Sequence, residues 1–210
     1  MQVTLASTSP ARLALLRQAG IEPRLRAPDV DEEAVIAETE RDEARTLPPD
    51  EHVLLLARRK AQDVAARLPS DEDAIVIGGD SMFELDGRVL GKPYEPDAAR
   101  ARWRDMRGRT GVLHSGMSVI RVGTGAEAHA TQAASVTFAA DISDDEIDAY
   151  VATSEPLLLA GAFAIDGRAA AFIEHIEGAP STVIGMSLPM LRRLTGELDV
   201  PWTELWNLPW

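Results

Sequence analysis

Apolar residues fall along this chain in short runs whose spacing switches repeatedly between that of strands and that of helices. Gln2 to Ala6 reads as a short buried strand. Ser9-Pro10 then supplies an N-cap followed by proline at the first helical position, and Leu13, Leu15, Leu16 and Ala19 give that helix a core-facing side before Gly20 stops it. Pro23 to Val30 is expected to be extended, and the acidic stretch from Asp31 to Ala44 to be a solvated helix. From Pro49 to Leu68 the apolar positions Val53, Leu54, Leu56, Ala57, Ala61, Val64, Ala65 and Leu68 recur at helical spacing. The β-branched run Ala74 to Ile77 predicts a buried strand that opens into a loop at Gly78-Gly79, with Asp80 at its C-terminal end.

Further on, Phe83 to Leu90 carries Asp86-Gly87 between apolar flanks, a hairpin signal because that pair tolerates positive φ. Pro96 to Met106 reads as a helix, Gly111 to Val122 and Ala130 to Ala140 as two antiparallel strands, and Ser143 to Glu146 as a capping box opening a helix through Tyr150. Ala169 to Ile176 resembles a strand and Thr182 to Leu194 a last core helix. The order implies an α/β protein with a mixed twisted sheet and flanking helices. No internal repeat or low-complexity linker divides it, so residues 1–197 are expected to form one folding unit, followed by a tryptophan-rich extension over residues 198–210.

Composition narrows the classes of function. With 210 residues, 45% hydrophobic and 26% charged, the chain has the makings of a packed core. It contains no cysteine, which excludes disulfides, thiolate metal sites and thiol nucleophiles. A net charge of -13 disfavours broad attachment to nucleic acid or to an anionic membrane, since the summed field repels a polyphosphate. The start MQVTLASTSPAR has no basic n-region followed by an apolar h-region, and no apolar run is long enough to cross a bilayer, so a cytoplasmic protein is expected. A small anionic ligand would need a local cluster of Arg and Lys, helped by a cation held on carboxylates.

Four places could form such a cluster. Ser7 and Arg12 flank a strand-to-helix junction, where backbone N–H groups and the helix dipole favour phosphate, although Ser-Pro at a helix start is commonly only a cap. In Arg58-Arg59-Lys60-Ala61 the spacing turns Ala57, Ala61 and Val64 inward while the basic groups face outward or toward a cleft. Such a run is usually a solvated face, and Lys60, at the core boundary, is the basic residue best placed to reach a site. Asp80 can bind Mg²⁺ or act as a general base, or merely cap a turn. Lys92 sits in a rigid turn before Pro93. The four histidines, at positions 52, 114, 129 and 175, share no metal-binding spacing, and neither a P-loop nor a dinucleotide fingerprint is present.

Taken in order, LASTSPARLALL (Leu5 to Leu16), PDVDEE (Pro28 to Glu33), ARRKA (Ala57 to Ala61), VIGGDSMFELDGRVLGKP (Val76 to Pro93), EPLLLAGAFAIDG (Glu155 to Gly167) and EHIEGAPSTVIGMSLP (Glu174 to Pro189) resemble the Maf family. The resemblance implies an inosine-triphosphate-pyrophosphatase-like fold with a cleft between two lobes and a homodimer. It also implies hydrolysis of a nucleoside triphosphate to the monophosphate and pyrophosphate with a divalent cation, Mg²⁺, Mn²⁺ or Co²⁺. Position by position it implies Ser7, Arg12 and Asp166 as substrate-binding residues, Glu32 and Asp80 as metal ligands, and Asp80, Lys60 and Lys92 as catalytic residues.

Three positions depart from the pattern: Thr182, where an Asn is common and the change is expected to have little catalytic consequence, and two that fall where Maf subfamilies differ in substrate. Members resembling dTTP/UTP pyrophosphatases carry Arg and Gln where this chain has Ala11 and Asp166, and those resembling 7-methyl-GTP pyrophosphatases carry Trp and Glu. An ionised acid at 166 accepts hydrogen bonds and donates none, which favours a base edge presenting N–H donors, as guanine does. The alternatives to a pyrophosphatase are a nucleotide-binding regulator of cell division that has lost hydrolysis, and a phosphomonoesterase. In the tail, Trp202, Trp206 and Trp210 recur every four residues and would share one face if Pro201 opened a helix, against the chain's own domain or across a dimer interface.

Overall fold

The structure, a computed structural model, describes residues 1–208. Seven strands form one mixed sheet among the described residues, in the order β2-β1-β3-β5-β6-β7 with β4 beside β3. The strands are β1 (Gln2–Ala6), β2 (Arg24–Leu25), β3 (Ala74–Leu85), β4 (Arg88–Leu90), β5 (Thr110–Arg121), β6 (Ala126–Phe138) and β7 (Ile173–Glu177). The helices are α1 (Pro10–Gln18), α2 (Glu32–Glu43), α3 (Pro49–Ala66), α4 (Pro96–Met106), α5 (Asp144–Ala152), α6 (Pro180–Ile184) and α7 (Leu188–Glu197). The α/β class and the mixed sheet are those expected from the sequence. β1 is parallel to both β2 and β3, whereas β4 on β3 and β7 on β6 are antiparallel.

The chain divides into two compact units. One comprises Met1–Asp80, Ser115–Gln132 and the chain from Gly185 onward; the other comprises Ser81–His114 and Ala133–Ile184. In the first, β1 is central to its neighbours and buried from Val3 to Ala6, as a parallel strand should be. Val53, Leu56, Ala57, Lys60, Ala61 and Val64 form the buried stripe of α3, the i, i+3, i+4 pattern visible in the sequence with one cation inside it. A small cluster of Ala6, Ala61, Val64, Val76 and Ile120 ties that helix to the sheet.

The second unit is built on aromatic rings. All four phenylalanines, Phe83, Phe138, Phe163 and Phe172, join Trp103 and Tyr150 in one chain of edge-to-face pairs, with the centroids of paired rings 5.0 to 6.1 Å apart. That is the arrangement the ring quadrupole favours. The indole of Trp103, fully buried, donates to the Ala162 carbonyl at 2.9 Å, so its one polar atom is met. The hairpin turns at Asp86-Gly87 with both residues at positive φ, and α5 opens with the complete Ser143/Glu146 capping box.

Several expectations need correction. β3 does not end at Asp80 but runs on to Leu85, so Asp80 is a mid-strand residue. Its glycines serve a close approach, not a loop: a Cβ at Gly78 would overlap the Ala57 carbonyl and stand 2.8 Å from the Ala61 nitrogen, so α3 lies directly against the strand. The extended piece at 23–30 is ordered as a strand only at Arg24–Leu25. β6 begins at Ala126, because a tight turn in which Gly125 N–H donates to the Arg121 carbonyl brings the chain straight back. Residues Arg168–Phe172 form a 3-10 segment and β7 starts only at Ile173.

The last core helix is two helices. Gly185, at φ +115°, breaks the run, and Ser187 caps α7 by accepting from the Met190 N–H with Pro189 just inside. The tail is a single 3-10 turn, Trp202–Leu205, and Trp206 is already extended, so Trp202 and Trp206 do not lie on an α-helical face. Trp210 lies outside the described residues. The tail is held by Asn207, whose amide bonds both ways with the backbone of Glu22 while Asn207 N–H donates to the Gly20 carbonyl.

Candidate active site

Around β1 the connections to β2 and to β3 leave in opposite directions across the sheet. In a parallel sheet this creates a crevice beyond the carboxyl end of the strand, where ligands commonly bind. Ser7 is the first residue past that end. It is buried, at 6% exposure, and its Oγ accepts from the Ser9 N–H at 3.1 Å. Ser9 in turn caps α1 by accepting from the Arg12 N–H at 3.4 Å, so the expected cap is real and directs the helix N-terminus at this point.

Arg12 turns back from the first turn of α1. Its Nη1 donates to Ser7 Oγ at 3.2 Å and its Nε to the Gly185 carbonyl at 2.9 Å. The carbonyl belongs to the glycine that separates α6 from α7, so the break in that helix has a use. Arg12 lies over Gly79, where a Cβ would stand 3.3 Å from Nε, so a side chain there would press on the guanidinium and require it to shift by a few tenths of an ångström. Burial lowers the pKa of the guanidinium from its ordinary value, against the upward pull of Asp80 and Glu32, and an arginine so shifted is still a cation at neutral pH.

Lys60 comes from the buried face of α3 and is 7% exposed. An ammonium there needs its charge met. Its Nζ lies 2.8 Å from Asp80 Oδ1 on β3 and 2.8 Å from Glu32 Oε1. Glu32 is the first residue of α2, placed by Asp31, which caps that helix by accepting from the Ala34 N–H at 3.0 Å. The side chain of Asp80 is largely buried and that of Glu32 half exposed. Ser7, Arg12, Glu32, Lys60 and Asp80 are thus gathered in the first unit, cations and carboxylates matched in number.

Two sequence candidates belong to the second unit. Lys92 is exposed, just after β4, and Asp166 is exposed in the turn before Gly167. The residue that fixes this turn, Glu155, was not among the candidates. Its Oε1 accepts from the Arg168 N–H at 2.9 Å and from the Tyr150 hydroxyl at 3.0 Å, and Gly167 packs against the carboxylate. Burial, reinforced by Glu155, raises the Tyr150 phenol above its ordinary value, so it is a donor at any working pH. Gly185 was missed too, yet Gly185-Met186-Ser187-Leu188-Pro189 carries the glycine stop and Ser/Pro start that mark a helix boundary. Of the basic neighbours of Lys60, Arg59 is exposed and Arg58 pairs with Glu127 at 2.8 Å.

Among the described residues no group of three or more His, Asp or Glu side chains is assembled for a metal, and no helix is long and apolar enough to cross a membrane. A cavity of about 700 Å³ lined by Arg17, Leu188, Trp202, Trp206 and Leu208 holds none of the candidate residues.

Known proteins bear on this arrangement. The family described as Maf-like protein matches residues 2–198. A protein of Leifsonia xyli named nucleoside triphosphate pyrophosphatase is 53% identical over 99% of this chain and 97% of its own length. Proteins with the same name from Streptomyces coelicolor and Salinispora tropica are 50% and 49% identical, over 98% and 99% of this chain and 94% and 88% of theirs. Among solved structures, a HAM1 protein from Coxiella burnetii aligns over 95% of this chain and 98% of its own with a TM-score of 0.43 and 13% identity, too distant to carry an argument. The matched span takes in every one of the candidate site residues, and the chain belongs to the Maf-like protein family.

Proposed function

We propose that this protein hydrolyses nucleoside triphosphates to nucleoside monophosphate and pyrophosphate. The observation that carries the reading is the placement of Arg12 and a buried Lys60 beside Asp80 and Glu32, at the crevice between β1 and β3. Relatives bearing the name nucleoside triphosphate pyrophosphatase along nearly the whole chain support it. Arg12, presented at the N-terminus of α1, and Lys60 neutralise the charge of the phosphates, which is most of what phosphoryl transfer asks of a protein. Asp80 orients or deprotonates the attacking water. The family resemblance gives Lys92 a share in that neutralisation and Asp166 a share in reading the base.

Glu32 and Asp80 fit a divalent cation by their chemistry: both present oxygen, and Mg²⁺ is usually held by one or two carboxylates together with substrate phosphates. When bound, such an ion would polarise the phosphoryl oxygens as a Lewis acid. The family reading also makes the protein a cytoplasmic homodimer, with no nucleic acid or membrane as partner; light scattering on the purified chain tests the dimer.

Asp80→Asn tests the assignment of chemistry. The amide is a poor base and a weak ligand, so turnover should fall by about 10²- to 10⁴-fold, with the melting curve confirming that the variant is folded. Phosphate is assayed with and without added inorganic pyrophosphatase. Signal that depends on the pyrophosphatase is expected of the wild type, and activity within a few-fold of wild type in the variant would remove Asp80 from the role.

A further inference from the structure

We infer that Lys60 is the resident counter-ion of the Glu32 and Asp80 carboxylates and is displaced from them when a divalent cation binds. Ammonium and metal then compete for the same oxygens, and the freed ammonium turns to the phosphates. The inference rests on the reading above that these two carboxylates hold the ion.

The geometry leaves little choice. Nζ stands 2.8 Å from an oxygen of each carboxylate, so the two oxygens are no farther apart than twice that distance and the nitrogen occupies the space between them. An ammonium has three N–H donors and no acceptor; here it donates to Asp80 and is ion-paired with Glu32. A hard divalent cation seeks those same oxygens, and it cannot share the gap with a positive nitrogen so close. One of the two must leave. Lysine can, because its charge rides on a flexible four-carbon stem.

Arg12 cannot leave as easily. Its guanidinium is fixed by the Gly185 carbonyl and by Ser7 Oγ, and it rests on Gly79. The two cations therefore have different parts: Arg12 is a fixed phosphate ligand, whereas Lys60 closes the acidic pair at rest. Metal entry converts a balanced cluster into one with two excess positive charges, suited to a triphosphate. Metal and nucleotide should accordingly favour each other's binding.

The test measures Mn²⁺ binding without nucleotide, by electron paramagnetic resonance of the free ion, for the wild type, Lys60→Gln, Arg12→Gln and Asp80→Asn, each checked for folding by its melting curve. Lys60→Gln should bind Mn²⁺ about tenfold more tightly, and Arg12→Gln distinctly less so, since it only removes a nearby positive charge. In ¹⁵N-lysine-labelled wild type the Lys60 ammonium resonance should shift on titration with Mg²⁺. Unchanged or weaker binding by Lys60→Gln, an equal gain in Arg12→Gln, or an unmoved ammonium resonance would overturn the competition, while loss of binding in Asp80→Asn would still leave the metal site standing. Mn²⁺ bound by none of the four proteins at millimolar concentration would remove the metal reading itself and the competition with it.

Discussion

An ammonium on the core face of a helix is costly unless partners meet its charge, and Lys60 shows how far such a position is readable before any coordinates. It follows Ala57 by three residues and precedes Val64 by four, both on the apolar stripe of α3, so the spacing put it at the core boundary without deciding between a cleft and a solvated face. What the spacing could not supply was its partners, Glu32 and Asp80, which lie 28 and 20 residues away on other elements. Arg12 was legible as a charge at a helix start, but not the Gly185 carbonyl that holds it. That fork yields a prediction: Arg12→Lys keeps the charge but cannot donate in two fixed directions, so turnover should drop by about tenfold or more. Steady-state kinetics at saturating nucleotide check it, and turnover equal to the wild type would mean that charge alone matters at this position.

At the scale of elements, local signals were read correctly and close approaches were not. The Ser9 and Ser143 caps, the hairpin at Asp86-Gly87 and the stripe of α3 all rest on interactions within a few residues of sequence, and all are present. The mid-strand place of Asp80 depends instead on α3 pressing against Gly78, a contact across some twenty residues that strand patterning does not record. Gly78→Ala should therefore cost about 3 kcal/mol, because backbone must move to admit the methyl group. Gly196→Ala in α7, where a Cβ meets nothing within 4 Å, should instead gain about 0.5–1 kcal/mol. Denaturant midpoints measure both, and equal effects would contradict the packing argument.

Glu127 offers a test of how α3 is held to β5 and β6. Burial pushes its pKa up, but hydrogen bonds from Arg58, Gln62 and Ser118 outweigh this and leave it below the ordinary value. A carboxylate with a lowered folded pKa stabilises the fold above the ordinary glutamate range and loses that contribution as pH falls through the folded pKa. Glu127→Gln should thus be less stable than wild type by about 1–2 kcal/mol near neutral pH, with the gap closing in acid. Urea unfolding of the two proteins from neutral to acidic pH checks this, and a pH-independent gap would assign the effect to packing.

For the molecule as a whole, the ordered motifs point to family and reaction more firmly than to the base that is recognised. The residues gathered in the first unit are the phosphate and cation chemistry of the reading; Ser7, Arg12, Lys60 and Asp80 arose from a cap, a stripe or a strand run that a single sequence displays, whereas Glu32 came only from the family resemblance. The base-reading expectation rests on Asp166, exposed in a turn whose support by Glu155 is a tertiary contact. An ionised acid there favours bases with N–H donors, so guanine nucleotides should be turned over faster than dTTP and UTP. A substrate panel decides it, and the reverse order would assign base selection to other groups. Reaction type is the central claim, and ³¹P NMR of the wild type with Mg²⁺ and a nucleoside triphosphate tests it most directly. The account predicts the paired appearance of nucleoside monophosphate and pyrophosphate; nucleoside diphosphate with orthophosphate, or an unchanged triphosphate across the panel, would contradict it.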